Sequence, residues 1–193
     1  MKTSIKTSFA ALLLFASVSC SKENIQTPSS LTSQTKDAST QAFTIGQSYH
    51  GGIIFYIDGT GQHGLIAATS DQGTGIPWQP GGNKLTNATG TANGTGASNT
   101  ATIVSVLGNS GNYAALLCSN YSSGGFSDWY LPSKVELNLL YKKRNVVGGF
   151  SATNYWSSSE VSKAKAWDQE FGGGFQFKDT KSFTLNVRAI SSF

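Results

Sequence analysis

Cysteine is nearly absent from this 193-residue chain: Cys20 and Cys118 are the only two. Cys20 falls in a leader-like segment, so Cys118 has no disulfide partner in the rest and any core must hold without a covalent staple. Charge is sparse too, at 12% of residues with a formal balance of +4. Lys2 and Lys6 lie in a segment expected to be removed, and from Cys20 onward 12 basic residues face 10 acidic ones, a net of +2. There is no basic stripe. The single cluster, Lys142-Lys143-Arg144, closes an expected helix, where cations suit the negative end of the dipole. Nucleic acid is therefore not an expected partner. Histidine is limited to His50 and His63, and no His, Cys or carboxylate cluster stands at ligand spacing, so neither a metal nor a cofactor is expected. Gly94-Thr95-Gly96 lacks both the following Lys-Ser/Thr and the preceding strand of a phosphate loop. No Gly-x-Ser-x-Gly elbow and no Ser/His/Asp set occurs. The carboxylates Asp128, Glu136, Glu160, Asp168 and Glu170 could serve a hydrolase only as a pair about 5–9.5 Å apart across a cleft. Glu136 already has a capping role and nothing in the sequence pairs the others, so enzymatic activity is not expected. Cys118, beside Leu116 and Leu117 with no histidine near in sequence, reads as a buried, inert thiol.

What the chain does have begins with an export signal over residues 1–19. Lys2 and Lys6 form a positive start, Phe9–Phe15 an apolar run too short to span a bilayer, and Ala16, Ser17 and Ser19 a small-residue end. Ser17-Val18-Ser19-Cys20 resembles a bacterial lipobox, with serine at Ser17 where leucine is usual. The expectation is cleavage before Cys20 and lipid attachment to its sulfur. Each buried CH2 contributes about 0.8 kcal/mol to such an anchor. Ser21-Lys22-Glu23 has no aspartate at its head to retain the protein at the inner membrane, which points to an outer-membrane lipoprotein open to surface display. Residues 20–42 are rich in Ser, Thr and Gln and read as a flexible tether. Its reach is about 25 Å root-mean-square.

The folded domain is expected over residues 43–193. With 22 glycines and 11% aromatic residues it suits a loop-rich α+β domain and not a helical bundle. Ile53–Ile57 and Gly64–Ala68, joined by the turn Asp58-Gly59-Thr60-Gly61, predict a hairpin buried on both sides. Pro80–Asn99 reads as a long surface loop, partly ordered over Trp78. Ile103, Val104 and Leu107 give Thr100–Leu107 helical spacing, and Tyr113–Cys118 could continue it after a break. Trp129-Tyr130-Leu131 reads as a short strand. Pro132 blocks an earlier helix start, and Ser133 with Glu136 has capping-box spacing for a helix from Lys134 to about Asn145, with Val135, Leu139 and Leu140 facing inward in part. Strands follow over Tyr155–Ser159, Lys165–Phe171, Phe175–Asp179 and Thr184–Ile190, with Gly172-Gly173-Gly174 as a turn.

Gly51-Gly52-Ile53-Ile54-Phe55-Tyr56, His63-Gly64-Leu65, the run from Asp128 to Ser133 with Glu136-Leu137, Tyr155-Trp156-Ser157-Ser158-Ser159-Glu160, Trp167 with Phe171, and Val187-Arg188-Ala189-Ile190 stand in this order. The set resembles a bacterial domain family typified by the C-terminal domain of a collagen-like adhesin, long catalogued as a domain of unknown function. The likeness runs from about Ile45 to Phe193. It implies a C-type-lectin-like fold: two helices around a twisted antiparallel sheet with long loops and the chain ends close together. Calcium-dependent lectins of that fold carry Glu-Pro-Asn or Gln-Pro-Asp and Trp-Asn-Asp triplets, absent here, and Gln79-Pro80-Gly81 lacks the carboxylate. The oxidase branch of the fold uses a cysteine pair, where this domain has one thiol.

In relatives of this fold the final hairpin displays the contact surface. Carried over, Asp168 and Glu170 would lie on the open face with Trp167 and Phe171 beneath. Phe175 and Phe177, with Lys163, Lys165 and Lys178, would complete an aromatic and charged ligand-binding patch. The other reading makes Phe175 and Phe177 core residues and the charges a solvated edge. The expected function is thus a non-enzymatic, surface-anchored binding or adhesion module for a glycan or protein, touching the membrane through its lipid alone. The alternatives are a structural component of a surface assembly and, behind it, a carboxylate-dependent hydrolase.

Overall fold

The computed structural model of the protein describes residues 42–193. The expected signal, Cys20 and all of the tether but Ala42 lie outside these residues. Among the described residues the order is β1 (Ser48–Tyr49), β2 (Gly52–Ile57), β3 (Gly64–Ala67), β4 (Gly73–Pro77), α1 (Gly96–Leu107), α2 (Ala114–Ser119), α3 (Lys134–Lys142), α4 (Arg144–Val147), β5 (Asn154–Glu160), β6 (Lys165–Glu170), β7 (Gln176–Thr180), β8 (Thr184–Val187) and β9 (Ile190–Ser192). The strands form a four-stranded sheet, β1-β2-β3-β9, and a five-stranded sheet, β4-β8-β5-β6-β7. All pairings are antiparallel except β5 with β8. No helix among the described residues is long and apolar enough to cross a membrane.

The β2–β3 hairpin is buried on both sides, as its unbroken apolar runs predict. The period of two sends Ile54 and Ile66 into a larger core with Trp78, Ile103, Leu131, Trp156 and Val187. It sends Phe55 and Leu65 into a smaller core with Leu137, Leu140, Tyr155, Phe171 and Ile190. Gly51 serves the entry to β2: it has φ +79°, and a Cβ there would sit 2.5 Å from the Ser123 backbone carbonyl carbon. Cys118 is fully buried in the larger core, and burial pushes its thiol above the ordinary cysteine range. His50 is stacked between the rings of Tyr49 and Phe126, with centroids 3.8 Å away on either side.

Several boundaries differ from expectation. The first helix begins at Gly96, before Thr100, while its expected break falls between α1 and α2; the second helix breaks at Lys143 into α3 and α4. The capping box is complete: Ser133 Oγ accepts the Glu136 N–H at 3.3 Å and Glu136 accepts the Ser133 N–H at 2.7 Å. That cap sets a helical phase that buries Glu136, Leu137 and Leu140 and leaves Val135 40% exposed, so Val135 does not face inward. The strand expected over Trp129-Tyr130-Leu131 is reduced to one bridge, Tyr130 with Ile190. The last strand splits at Arg188-Ala189, giving β8 to one sheet and β9 to the other. β1 and β4 carry no alternation, being two residues long and Gly/Pro-bearing respectively.

The largest departure is the long connection before α1. It is pinned from below by motif side chains. Glu160 accepts the N–H groups of Thr86 (2.9 Å) and Asn87 (2.6 Å) and is paired with buried Lys181. Lys181 also donates to the Lys84 carbonyl at 3.0 Å and lies 4.3 Å from the Trp78 ring centroid. Asn99 Nδ2 (2.6 Å) and Ser159 Oγ (2.7 Å) both donate to the Gly90 carbonyl. Ser133 Oγ donates to the Ala92 carbonyl at 2.8 Å, and Glu136 accepts the Gly94 N–H at 2.8 Å.

Candidate functional site

β6 and β7 pair with Trp167 opposite Lys178, Asp168 opposite Phe177 and Lys165 opposite Thr180. Because the pleat alternates, Lys165, Trp167 and Gln169 share one face with Gln176, Lys178 and Thr180. Ala166 and Asp168 share the other with Phe177 and Asp179. Helix α3 lies over the first face. Its capped start sets Lys134 with the ammonium 3.5 Å from the Trp167 ring centroid, and Lys178 approaches the same ring at 5.0 Å. Lys165 Nζ donates to the Lys178 carbonyl at 3.3 Å. The helix is tied down by Gln176 Nε2 to the Lys134 carbonyl (3.0 Å) and Gln169 Nε2 to Asn138 Oδ1 (3.0 Å). The result is a half-buried indole approached by two ammonium groups, neither of them in an ion pair among the described residues, a positive surface suited to an anion.

The second face corrects the expected orientation. Asp168 is not on an open face: it is 1% exposed, beside fully buried Trp156, its cross-strand neighbour on β5. Its Oδ2 accepts from Asn154 Nδ2 at 2.6 Å, and its Oδ1 has no partner among the described residues. Burial pushes its carboxyl up to about 6, the Asn154 hydrogen bond pulls against that, and the nearby Asp179 adds to the rise. Nor does Trp167 pack beneath the sheet. Phe171 does, at 2% exposure. Alternation shows which residues share a face, but which face turns toward the larger core is decided by Trp156 and Ala166.

Phe175 and Phe177 are 68% and 44% exposed, so the reading that makes them core residues is set aside. Glu170 is half-buried and turned into its own turn, accepting the N–H of Gly172 at 2.7 Å and of Gly173 at 2.5 Å. Gly174 closes that turn at φ +87°, where a Cβ would collide with the Tyr141 ring. Lys163 is exposed in the connection before β6. Lys165 and Lys178 thus meet around Trp167, while Phe175 and Phe177 border the hairpin without touching that indole face. Lys134 was not anticipated. The capping box marks it as the first helical residue, but no local signal says which strand that turn of helix covers.

Two further hollows flank Tyr130. One, about 230 Å³, includes Tyr56, Asp58, His63 and Asn93; the other, about 290 Å³, includes Ala101, Val104 and Asp128. Burial raises the Tyr130 phenol above its usual value, and the Glu136 charge adds to this. Burial also raises Glu136, against the N–H groups of Ser133, Gly94 and Gly96. No group of three or more His, Cys, Asp or Glu among the described residues is placed to hold a metal ion.

The model of the Lcl C-terminal domain family matches residues 67–191. A fimbrial protein from Bacteroides ovatus ATCC 8483 superposes with a TM-score of 0.51 at 16% identity. The match covers 72% of this chain but 43% of that one, so this chain spans less than half the length of its structural neighbour. A likeness at that identity concerns the fold. No curated protein matches the chain.

Proposed function

The chain belongs to the Lcl C-terminal domain family, and on that premise we propose that it is a surface-displayed, non-enzymatic binding module that holds a glycan or protein ligand on its β6–β7 hairpin. The observation that carries the reading is Trp167 with the ammonium groups of both Lys134 and Lys178 over its ring, Lys165 hydrogen-bonded to the Lys178 carbonyl and Lys163 exposed just before β6. An aromatic face ringed by unpaired cations favours ligands that carry negative charge over neutral ones. Exposed Phe175 and Phe177 extend the contact area at the hairpin's edge.

The fold is read as C-type-lectin-like, supported by α1 and α3 on the sheets, the long connections, and rings of Phe43 and Phe193 whose centroids are 4.7 Å apart. Display follows from the proposed lipid on Cys20, with the outer membrane as the anchoring surface. The module's non-enzymatic character is supported by where its acids are spent: Glu136 and Glu160 hold backbone N–H groups, Glu170 holds its turn, and Asp168 is buried.

The test is an array of sulfated, uronate-bearing and neutral glycans and of proteins, probed with the full chain and with Trp167→Ala and Lys178→Ala. Saturable binding to acidic ligands is expected, weakened about tenfold or more by either substitution and by high salt. Binding that neither substitution nor salt changes would move the site elsewhere.

A further inference from the structure

A hollow of about 520 Å³ lies between α4, the loop after it and the turn after β6. Lys134, Lys165, Trp167 and Lys178 do not line it. Its wall carries the rings of Phe150 and Phe171, centroids 4.8 Å apart. Arg144 stands beside them. Its guanidinium is held in place, with the carbon 4.1 Å from the Tyr141 ring centroid and NH1 donating to the Tyr141 carbonyl at 3.1 Å. That uses one of five N–H donors. Neither ion pair among the described residues involves Arg144; they are Lys181 with Glu160 and Arg188 with Asp71. Glu170, whose carboxylate borders Gly172, is occupied by the N–H groups of Gly172 and Gly173.

Behind the wall, Arg188 is spent. It donates to Asp71 (2.7 Å) and to the carbonyls of Ala68 (2.9 Å), Gly149 (2.6 Å) and Gly148 (3.4 Å), with Phe150 stacked at 4.0 Å. The carbonyls of Gly148 and Gly149 are therefore taken. Ser151 Oγ is shared among Thr153, Tyr155 and Asn186. What the hollow offers a visitor is a fixed, unpaired guanidinium and an aromatic wall, with few free polar side chains.

We propose that this hollow binds the C-terminal end of a peptide, with Arg144 holding the free carboxylate and the half-buried Phe150 ring, backed by buried Phe171, receiving the last apolar side chain. A rigid guanidinium fork takes a carboxylate through two parallel hydrogen bonds. A sugar acid fits less well, because its ring hydroxyls need several unoccupied donors and acceptors and Asn145 is the main one present. The site is separate from the hairpin surface.

The probes are N-acetyl-phenylalanine, its C-terminal amide and glucuronic acid, titrated into the full chain and into Arg144→Gln while backbone amide resonances are followed. The acid should shift the amides of Gly149, Phe150 and Gly172, and both the amide probe and R144Q should weaken binding about tenfold or more. If R144Q fails to fold, the acid-against-amide comparison on the unaltered chain decides alone. Equal binding of acid and amide, or no shifts at those residues, overturns the site. Tighter binding of glucuronic acid overturns the peptide assignment.

Discussion

Asp168 sits at 1% exposure with Asn154 as its hydrogen-bond partner and one oxygen unpaired among the described residues. Its carboxyl is raised from an ordinary 3.8 to about 6, burial being the main cause. Folding therefore favours the protonated form. The stability this group permits is fully present below the unfolded value near 3.8 and is lost as pH climbs through the folded value near 6. At pH 8 the ionised form should cost the fold on the order of 3 kcal/mol. Asp168→Asn keeps an acceptor for Asn154 and removes the titration. It is expected to stabilise the protein by about that amount at pH 8 and to change little at pH 4, read from urea unfolding at both pH values. An equal effect at the two pH values would dismiss the buried-acid account. Sequence alternation grouped Asp168 correctly with Ala166 and away from Trp167. What it could not supply was the sign of the face, because a strand covered on both sides has no polar side to announce.

Buried polar side chains of α1, α3 and β5 build a clasp. Ser133 and Glu136 at the start of α3, Asn99 in α1, and Ser159 and Glu160 in β5 together hold backbone groups at Thr86, Asn87, Gly90, Ala92 and Gly94. A connection with few apolar anchors is ordered by buried polar groups reaching it from three elements. Glu160 is central, since its carboxylate answers two N–H groups and Lys181 at once. Burial pulls the Lys181 ammonium below its ordinary value, with the Glu160 carboxylate pulling it back. Removing one partner leaves the other buried and unmatched, which costs about 3–5 kcal/mol. Glu160→Gln and Lys181→Met should each destabilise by that order and raise hydrogen exchange at the Thr86 and Asn87 amides first. The double change to Leu and Met should recover only the part due to the unmatched charge, because the Thr86 and Asn87 N–H groups stay without their acceptor. Unchanged protection at Thr86 and Asn87 in Glu160→Gln would dismiss the clasp. The capping box was legible because its signals lie within four residues of one another. The clasp was not, because Glu160 and Thr86 are 74 positions apart and nothing local ties an acid after a serine run to a distant loop.

On the scale of the whole molecule, the stretch from Thr184 to Phe193 joins what would otherwise be two sheets. β8 pairs with β4 and β5 in one, and β9 pairs with β3 in the other, two residues later. At the crossing, Arg188 is buried and reaches both the loop after β3 and the loop after α4. Ile190 then exchanges hydrogen bonds with Tyr130, at 2.8 and 3.0 Å, and is fully buried in the smaller core. Phe193 closes the end against Phe43 and Tyr49, while its N–H and carbonyl both pair with Gly64. The continuous pattern of Leu185, Val187 and Ala189 foretold one strand, since a switch between sheets leaves no mark on the alternation. A shared strand makes the sheets depend on each other, so the molecule should unfold in one step. Chains retaining Trp129, which packs on β2, or Trp167, on β6, as the sole indole should show coincident urea transitions. Ending the chain after Ala189 removes Ile190 and Phe193 and leaves Tyr130 and Gly64 without backbone partners. Both indoles should then lose their cooperative transition together. If the Trp167 signal of the shortened chain still melts at the original urea concentration, the two sheets are independent and the coupling argued from the divided strand is wrong.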